Sequence, residues 1–285
     1  MSRRIDLTLN GATQRLIESY PQRNEQSDTA RLDAQILLCH VLQKDNSYLF
    51  TWPDKELTEP QLEAFHQLIE QRAQGTPVAY LTGERDFWSL KLKVNPSVLI
   101  PRPDTEHLVE IALNQQLPEN ALVADLGTGS GAIALSLAKE NRNWRVMTVD
   151  RFPEPLATAE ENAQLNQIAN VEFLLGSWCE PLPDNMDMIV SNPPYIREDD
   201  EHLNQGDVQF EPITALTAGA DGLDDIRLIS AQAFQKLKQG GWLLLEHGFD
   251  QGRDIRSILT EDGLIDARTE QDLAGHDRVT LARRP

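Results

Sequence analysis

Cysteine is nearly missing from this chain: Cys39 and Cys179 are its two thiols in 285 residues, far apart and without a partner at metal or redox spacing. That excludes a disulfide framework and a cysteine-rich metal site, and it predicts buried, reduced thiols in a cytoplasmic protein. Positive charge is short as well. Twenty-six Lys and Arg stand against 45 Asp and Glu, a formal net charge of −19. Tracking a nucleic-acid backbone requires cations that displace counterions, so direct nucleic-acid binding is not expected and a basic partner suits the chain better. Long apolar runs are absent too. None approaches the ~18 residues of a membrane span, and Met1-Ser2-Arg3-Arg4-Ile5-Asp6 has no apolar stretch behind its arginines, so neither membrane insertion nor secretion is expected. What is present is an apolar fraction of 40%, sufficient for one large or two smaller cores.

From Leu7 to about Gly75 the pattern is helical. Asp28 is placed to cap a helix through Gln43 with Ala34, Leu37, Leu38 and Val41 on one face, and Thr58-Glu59-Pro60 opens another with Leu62, Phe65, Leu68 and Ile69 inward. Residues 1–76 are therefore expected to form a small helical bundle. It carries no assigned chemistry, and its size suits substrate recognition. Residues 77–96, with the alternating run Phe87 to Val94, read as a hairpin linker. Residues 97–285 alternate strands and helices, which implies a largely parallel sheet covered on both faces. Its strands are expected near Ala121–Leu126, Trp144–Val149, Val171–Leu175, Met186–Ser191 and Trp242–Glu246, the last after a break at Gly240-Gly241. Leu264–Thr269 and Arg278–Arg283 should close the sheet as an antiparallel hairpin. Ahead of the sheet, Pro101-Arg102-Pro103 is stiffened before any ligand arrives, and Asp104 or Thr105 is placed to cap the helix that follows.

Asp125-Leu126-Gly127-Thr128-Gly129-Ser130-Gly131 follows the first of these strands and opens a helix, where α/β sheets bind nucleotides. Gly127 to Ala132 also fits the dinucleotide pattern G-x-G-x-x-G/A, and Asp150 lies near the ~20-residue distance of an acid that holds a ribose. Two cofactors therefore compete. A carboxylate at Asp125 would repel a pyrophosphate and attract an ammonium, which favours S-adenosylmethionine over NAD.

Asn192-Pro193-Pro194-Tyr195 leaves another strand. Its prolines fix φ and remove two donors, so the turn offers an Asn side chain, bare carbonyls and an aromatic ring. These suit a planar –NH2 lying between acceptors. If the two strands are neighbours, methyl donor and acceptor turn face one crevice.

Together with Ile100-Pro101-Arg102-Pro103-Asp104-Thr105-Glu106 upstream and Gln209-Phe210-Glu211-Pro212 downstream, the glycine run and Asn192-Pro193-Pro194-Tyr195-Ile196 resemble the bacterial methyltransferases of peptide chain release factors. The resemblance covers nearly the whole chain. It implies a seven-stranded, mostly parallel Rossmann-like sheet with a C-terminal antiparallel hairpin beside an N-terminal helical bundle. It also implies S-adenosylmethionine as cofactor, and methylation of the glutamine amide in the Gly-Gly-Gln motif of class 1 release factors. The candidate cofactor residues are Asp125, Gly127, Thr128, Gly129, Ser130, Gly131, Asp150, Trp178 and Asn192. The candidate substrate residues are Asn192, Pro193, Pro194, Tyr195 and Arg102, with Asn192, Pro193 and Tyr195 as the catalytic group, and no metal is called for. One departure stands out: Ser177 occupies a place where many methyltransferases carry an acid for the adenine amine, which shifts weight to stacking by Trp178. The rival readings are an adenine-amine methyltransferase acting on DNA or RNA, a non-catalytic binding module of the same fold, and a nicotinamide-dependent oxidoreductase.

Overall fold

Apolar residues at helical spacing build the N-terminal part of the computed structural model, which describes residues 3–20 and 29–285. Helix α1 (Ile5–Ser19) buries Ile5, Leu9, Ala12 and Leu16, and α2 (Ala30–Leu42) buries Ala34, Leu37 and Leu38. With α3 (Asn46–Thr51), α4 (Glu59–Ala73) and α5 (Val78–Thr82), these faces close one core around Phe65. Asp28, expected as a cap, lies outside the described residues, and α2 begins after Thr29. At α4 the backbone N–H and the hydroxyl of Thr58 both donate to Gln61 Oε1, at 3.0 Å. Arg72 is buried and pairs with Asp33 (2.8 Å) and with Asp207 (2.9 Å), so residues 201–210 pack as part of this unit.

The second unit comprises residues 84–200 and 211–285. Its hairpin, β1 (Glu84–Phe87) and β2 (Leu90–Lys93), is tied to the unit through Asn162, whose side chain bonds both the N–H and the carbonyl of Lys93. The hairpin expected to be a linker thus packs within this unit.

Seven strands follow: β3 (Leu122–Leu126), β4 (Arg145–Asp150), β5 (Val171–Leu175), β6 (Met186–Ser191), β7 (Leu237–Glu246), β8 (Ile265–Gln271) and β9 (Asp277–Arg283). They are ordered β5-β4-β3-β6-β7-β9-β8, parallel except where β9 runs antiparallel between β7 and β8. The expected fold is therefore the observed one. Alternate residues of each strand feed opposite faces. Val123, Val146, Val190 and Leu244 join the core with α6 (Thr105–Leu113) and α7 (Ala132–Glu140), whereas Ala124, Val149, Ile189 and Leu245 face α9 (Asp224–Lys236) and α10 (Gly252–Glu261). Helix α8 (Pro153–Leu165) follows β4.

Two local expectations fail for physical reasons. Gly240 and Gly241 do not end a helix before a strand; they lie inside β7, where the register with β6 shifts, and a Cβ on Gly241 would stand 2.8 Å from the Met186 carbonyl. The glycines admit a bulge. Nor does Asp104 or Thr105 cap α6 with its side chain, because the Thr105 hydroxyl is engaged by Glu246. Of the two thiols Cys179 is buried and Cys39 only half-buried.

Candidate active site

Strand order places the site. Chain direction across the sheet reverses between β3 and β6, and ligands bind beyond the carboxyl ends of strands at such a point. Leu126 pairs with Ser191, whose hydroxyl donates to the Leu126 carbonyl at 2.8 Å. The next residues are Gly127 and Asn192, so the glycine loop and the Asn-Pro-Pro-Tyr turn leave the sheet side by side.

The glycine loop is held from within. Gly127, Gly129 and Gly131 all have positive φ, and Gly131, at 83°, would place a Cβ 3.1 Å from Ala159 and Leu135. The N–H groups of Gly127 and Thr128 donate to the Val149 carbonyl, that of Gly131 to Thr128, and that of Gly129 to Asp150 Oδ2 at 3.1 Å. A pyrophosphate needs free N–H groups aimed at it. Here they are engaged internally, which argues against a dinucleotide. Asp150 suits a ribose: each of its oxygens accepts one backbone N–H, from Gly129 or Phe152, and keeps a lone pair for a hydroxyl. Burial pushes its carboxyl above the usual carboxylate range.

A cleft opens beside this loop. Among its lining residues are Gly127, Gly129, Asp150, Trp178, Asn192 and Pro194 from the expected set, together with Ser97, Phe152, Ser177 and Asp225. Trp178 has φ 47°, and its ring lies 3.4 Å from where a Cβ on Gly127 would stand. Its indole acts on the carboxyl of Asp225 and lowers it; Asp225 is an acid that sequence reasoning missed, and it lines the cleft with Ser177.

Other expected residues lie behind the cleft wall. Asp125 is buried beneath the loop, where Oδ2 accepts from Thr128 Oγ1 (3.0 Å) and Ala134 N (3.3 Å), while Oδ1 has no partner among the described residues. Burial pushes its carboxyl up to about 7. Thr128 and Ser130 serve the loop itself, the second through its carbonyl, which accepts from Asn162. Arg102 pairs with Glu211, whose other oxygen accepts from Ile100 N at 3.1 Å, so it joins the Pro-Arg-Pro loop to the segment after residue 210.

At the turn, both amide hydrogens of Asn192 are engaged. Nδ2 donates to Glu246 Oε1 at 2.9 Å and to Thr105 Oγ1 at 3.2 Å, and Oδ1 has no partner among the described residues. No described donor reaches the Pro193 carbonyl, whereas the Tyr195 carbonyl accepts from Gln251 at 3.0 Å. The Tyr195 hydroxyl is pushed up to about 12, by burial first and by Glu246 next, so the phenol stays protonated. Glu246 and Thr105 are the residues the sequence reading passed over. Glu246 had a signal: like Asp150, it is an acid at the carboxyl end of an apolar strand.

A seven-stranded sheet of this strand order, with a glycine loop closed to phosphate after β3 and an acid, Asp150, at the end of β4, is the fold of a methyltransferase. Consistent with this, the PrmC N-terminal domain family matches residues 8–83 and the methyltransferase small domain family residues 105–210. Release factor glutamine methyltransferases of Vibrio cholerae (52% identical, over 99% of this chain and 98% of that one), Aliivibrio fischeri (49%, over 98% of each) and Pseudomonas aeruginosa (50%, over 90% and 94%) are similar along nearly their whole length. A methyltransferase structure from Pyrococcus furiosus superposes with a TM-score of 0.53 over 69% of this chain and 89% of that one at 18% identity, a likeness of fold. The chain belongs to the release factor glutamine methyltransferase family.

Proposed function

We infer that this enzyme transfers a methyl group from S-adenosylmethionine to the side-chain amide nitrogen of glutamine in the Gly-Gly-Gln motif of class 1 peptide chain release factors, in the cytoplasm. The observation that carries the reading is the Asn192 amide, with its two hydrogens tied and its oxygen open beside the cofactor cleft. Gly127 and Gly129 would line the cofactor, Asp150 would hold its ribose and Trp178 would stack on its adenine. Bound there, S-adenosylmethionine supplies an electrophilic methyl group.

The chain's own part is positioning. A carboxamide nitrogen is a poor nucleophile because its lone pair is delocalised, and no carboxylate deprotonates it near neutral pH. Asn192 Oδ1 and the Pro193 carbonyl accept the two amide hydrogens, and Tyr195 packs on the amide plane. Orientation of this kind removes much of the entropic barrier. Acceptors aimed at the N–H groups also favour the positive charge that grows on nitrogen as the N–C bond forms. The proton leaves to water after transfer.

The helical bundle is the part we assign to holding the release factor. It exposes Leu32, Phe50 and Trp52, each more than half accessible, and the charge of −19 suits a basic, ribosome-binding partner. Mass spectrometry of a release factor incubated with enzyme and cofactor should locate one added methyl on that glutamine. Asn192→Ala should lower turnover by about 10²- to 10³-fold while calorimetry gives a cofactor Kd within threefold of wild type. Label entering only nucleic acid would sink the substrate assignment, and wild-type turnover in the variant would sink the clamp.

A further inference from the structure

Asn192 follows β6 by one residue and Glu246 ends β7, and the pairing of Ser191 with Leu245 sets the two side by side. Thr105 Oγ1, at the start of α6, donates to Glu246 Oε1 at 3.2 Å and accepts from Asn192 Nδ2. With Glu246 Oε1 as an acceptor, the proton directions around this triangle follow. The hydroxyl has one hydrogen, which goes to Glu246. Its lone pair takes one amide hydrogen of Asn192, and Glu246 Oε1 takes the other. Turning the amide over would set Asn192 Oδ1 against Glu246 Oε1, oxygen against oxygen.

The same rotation would present an NH2 to the cleft. A substrate –NH2 would then meet donors instead of acceptors. We propose that Glu246, braced by Thr105, is the positioning residue that fixes the Asn192 amide with its oxygen outward, and so restricts the site to acceptors that bring a nitrogen carrying two hydrogens. The proposal rests on Asn192 acting as the substrate clamp.

The cost of this acid supports a role beyond packing. Glu246 is 2% exposed at the end of an apolar strand, and its Oε2 has no partner among the described residues. Tyr195, Asp104 and Arg278 are the titratable and charged groups that act on it. A leucine there would satisfy the core better, since a half-satisfied buried polar group destabilises.

The test is a variant series with release factor as substrate, reading kcat, KM for the factor, and cofactor Kd by calorimetry. Glu246→Ala should lower kcat about 30- to 100-fold, with KM and cofactor Kd within threefold of wild type. Glu246→Gln, which can keep an oxygen toward Asn192, should recover to within tenfold. Glu246→Asp, which keeps the acid but withdraws it by one methylene, should lose at least tenfold, and it decides the matter should the alanine variant not fold. In single-turnover labelling on an Asn192→Ala background, Glu246→Ala should cost less than a further twofold. Wild-type kcat in Glu246→Ala or Glu246→Asp overturns the proposal while leaving an inactive Asn192→Ala, and so the clamp, in place. The full loss repeated on the Asn192→Ala background also overturns it, because Glu246 would then act independently of Asn192.

Discussion

The two loops that leave β3 and β6 each rest on a buried acid, and they differ in where that acid comes from. Beneath the glycine loop lies Asp125, which precedes Gly127 by two residues and bonds Thr128 and Ala134 within the same strand-loop-helix. Beneath the Asn192 turn lies Glu246, 54 residues away, with Thr105, 87 residues away. The glycine loop is therefore a local object, shaped by its own glycines. The Asn192 turn depends on the assembled sheet. Damage to the first should abolish cofactor binding, and damage to the second should spare it.

Gly131→Val tests the local half and should have the largest effect. The residue sits at φ 83°, and its Cβ would meet Ala159 and Leu135 at 3.1 Å. A β-branched side chain in the left-handed region, with overpacking added, destabilises by about 2–4 kcal/mol. Calorimetry should show cofactor affinity lowered at least 100-fold, with turnover following. Preserved affinity with lost turnover would erase the distinction between the loops.

The acids themselves can be compared by pH. Burial pushes both Asp125 and Glu246 up to about 7, from ordinary values of 3.8 and 4.5. A raised folded-state pKa favours the neutral acid, so its contribution to stability is complete below about pH 4 and is lost as pH rises through 7. Asp125→Asn and Glu246→Gln remove that loss. In urea unfolding each variant should gain on wild type between pH 5 and pH 8, by at most about 3 kcal/mol. A gain that does not change with pH would show that the fold does not raise the acid's pKa.

The same contrast explains what could be read in the sequence. The sheet, its closing hairpin and the helical bundle were legible because periodicity and strand length are local, and the glycine loop because strand, glycines, helix and Asp150 follow one another in order. The Asn192 turn was legible in type: two prolines leave acceptors. What holds it was not. Thr105 read as a helix cap, because Ser, Thr and Asp before a helix usually are, and only the adjacency of β6 and β7 with α6 shows its hydroxyl directed to Glu246. Gly240-Gly241 read as a break for a similar reason, since a bulge is defined by the partner strand. Asp225 had no sequence signal at all, because nothing in the start of α9 announces that it faces Trp178.

That last pair gives the smallest expected effect and a limit on the comparison, because it brings a distant residue to the cofactor side. Trp178 holds a left-handed backbone conformation that few aromatic residues adopt, with its ring against the Gly127 backbone. Asp225 is half-buried, has its carboxyl raised by burial, and is acted on by the Trp178 indole. If this interaction keeps the ring in place, Asp225→Ala removes about 1 kcal/mol after exposure is allowed for. Cofactor Kd should rise about three- to tenfold with kcat on release factor unchanged, measured by calorimetry and saturation kinetics. An unchanged Kd beside a raised one in Trp178→Ala would mean that packing alone holds the ring, and the cofactor loop would then be as locally determined as its sequence suggests.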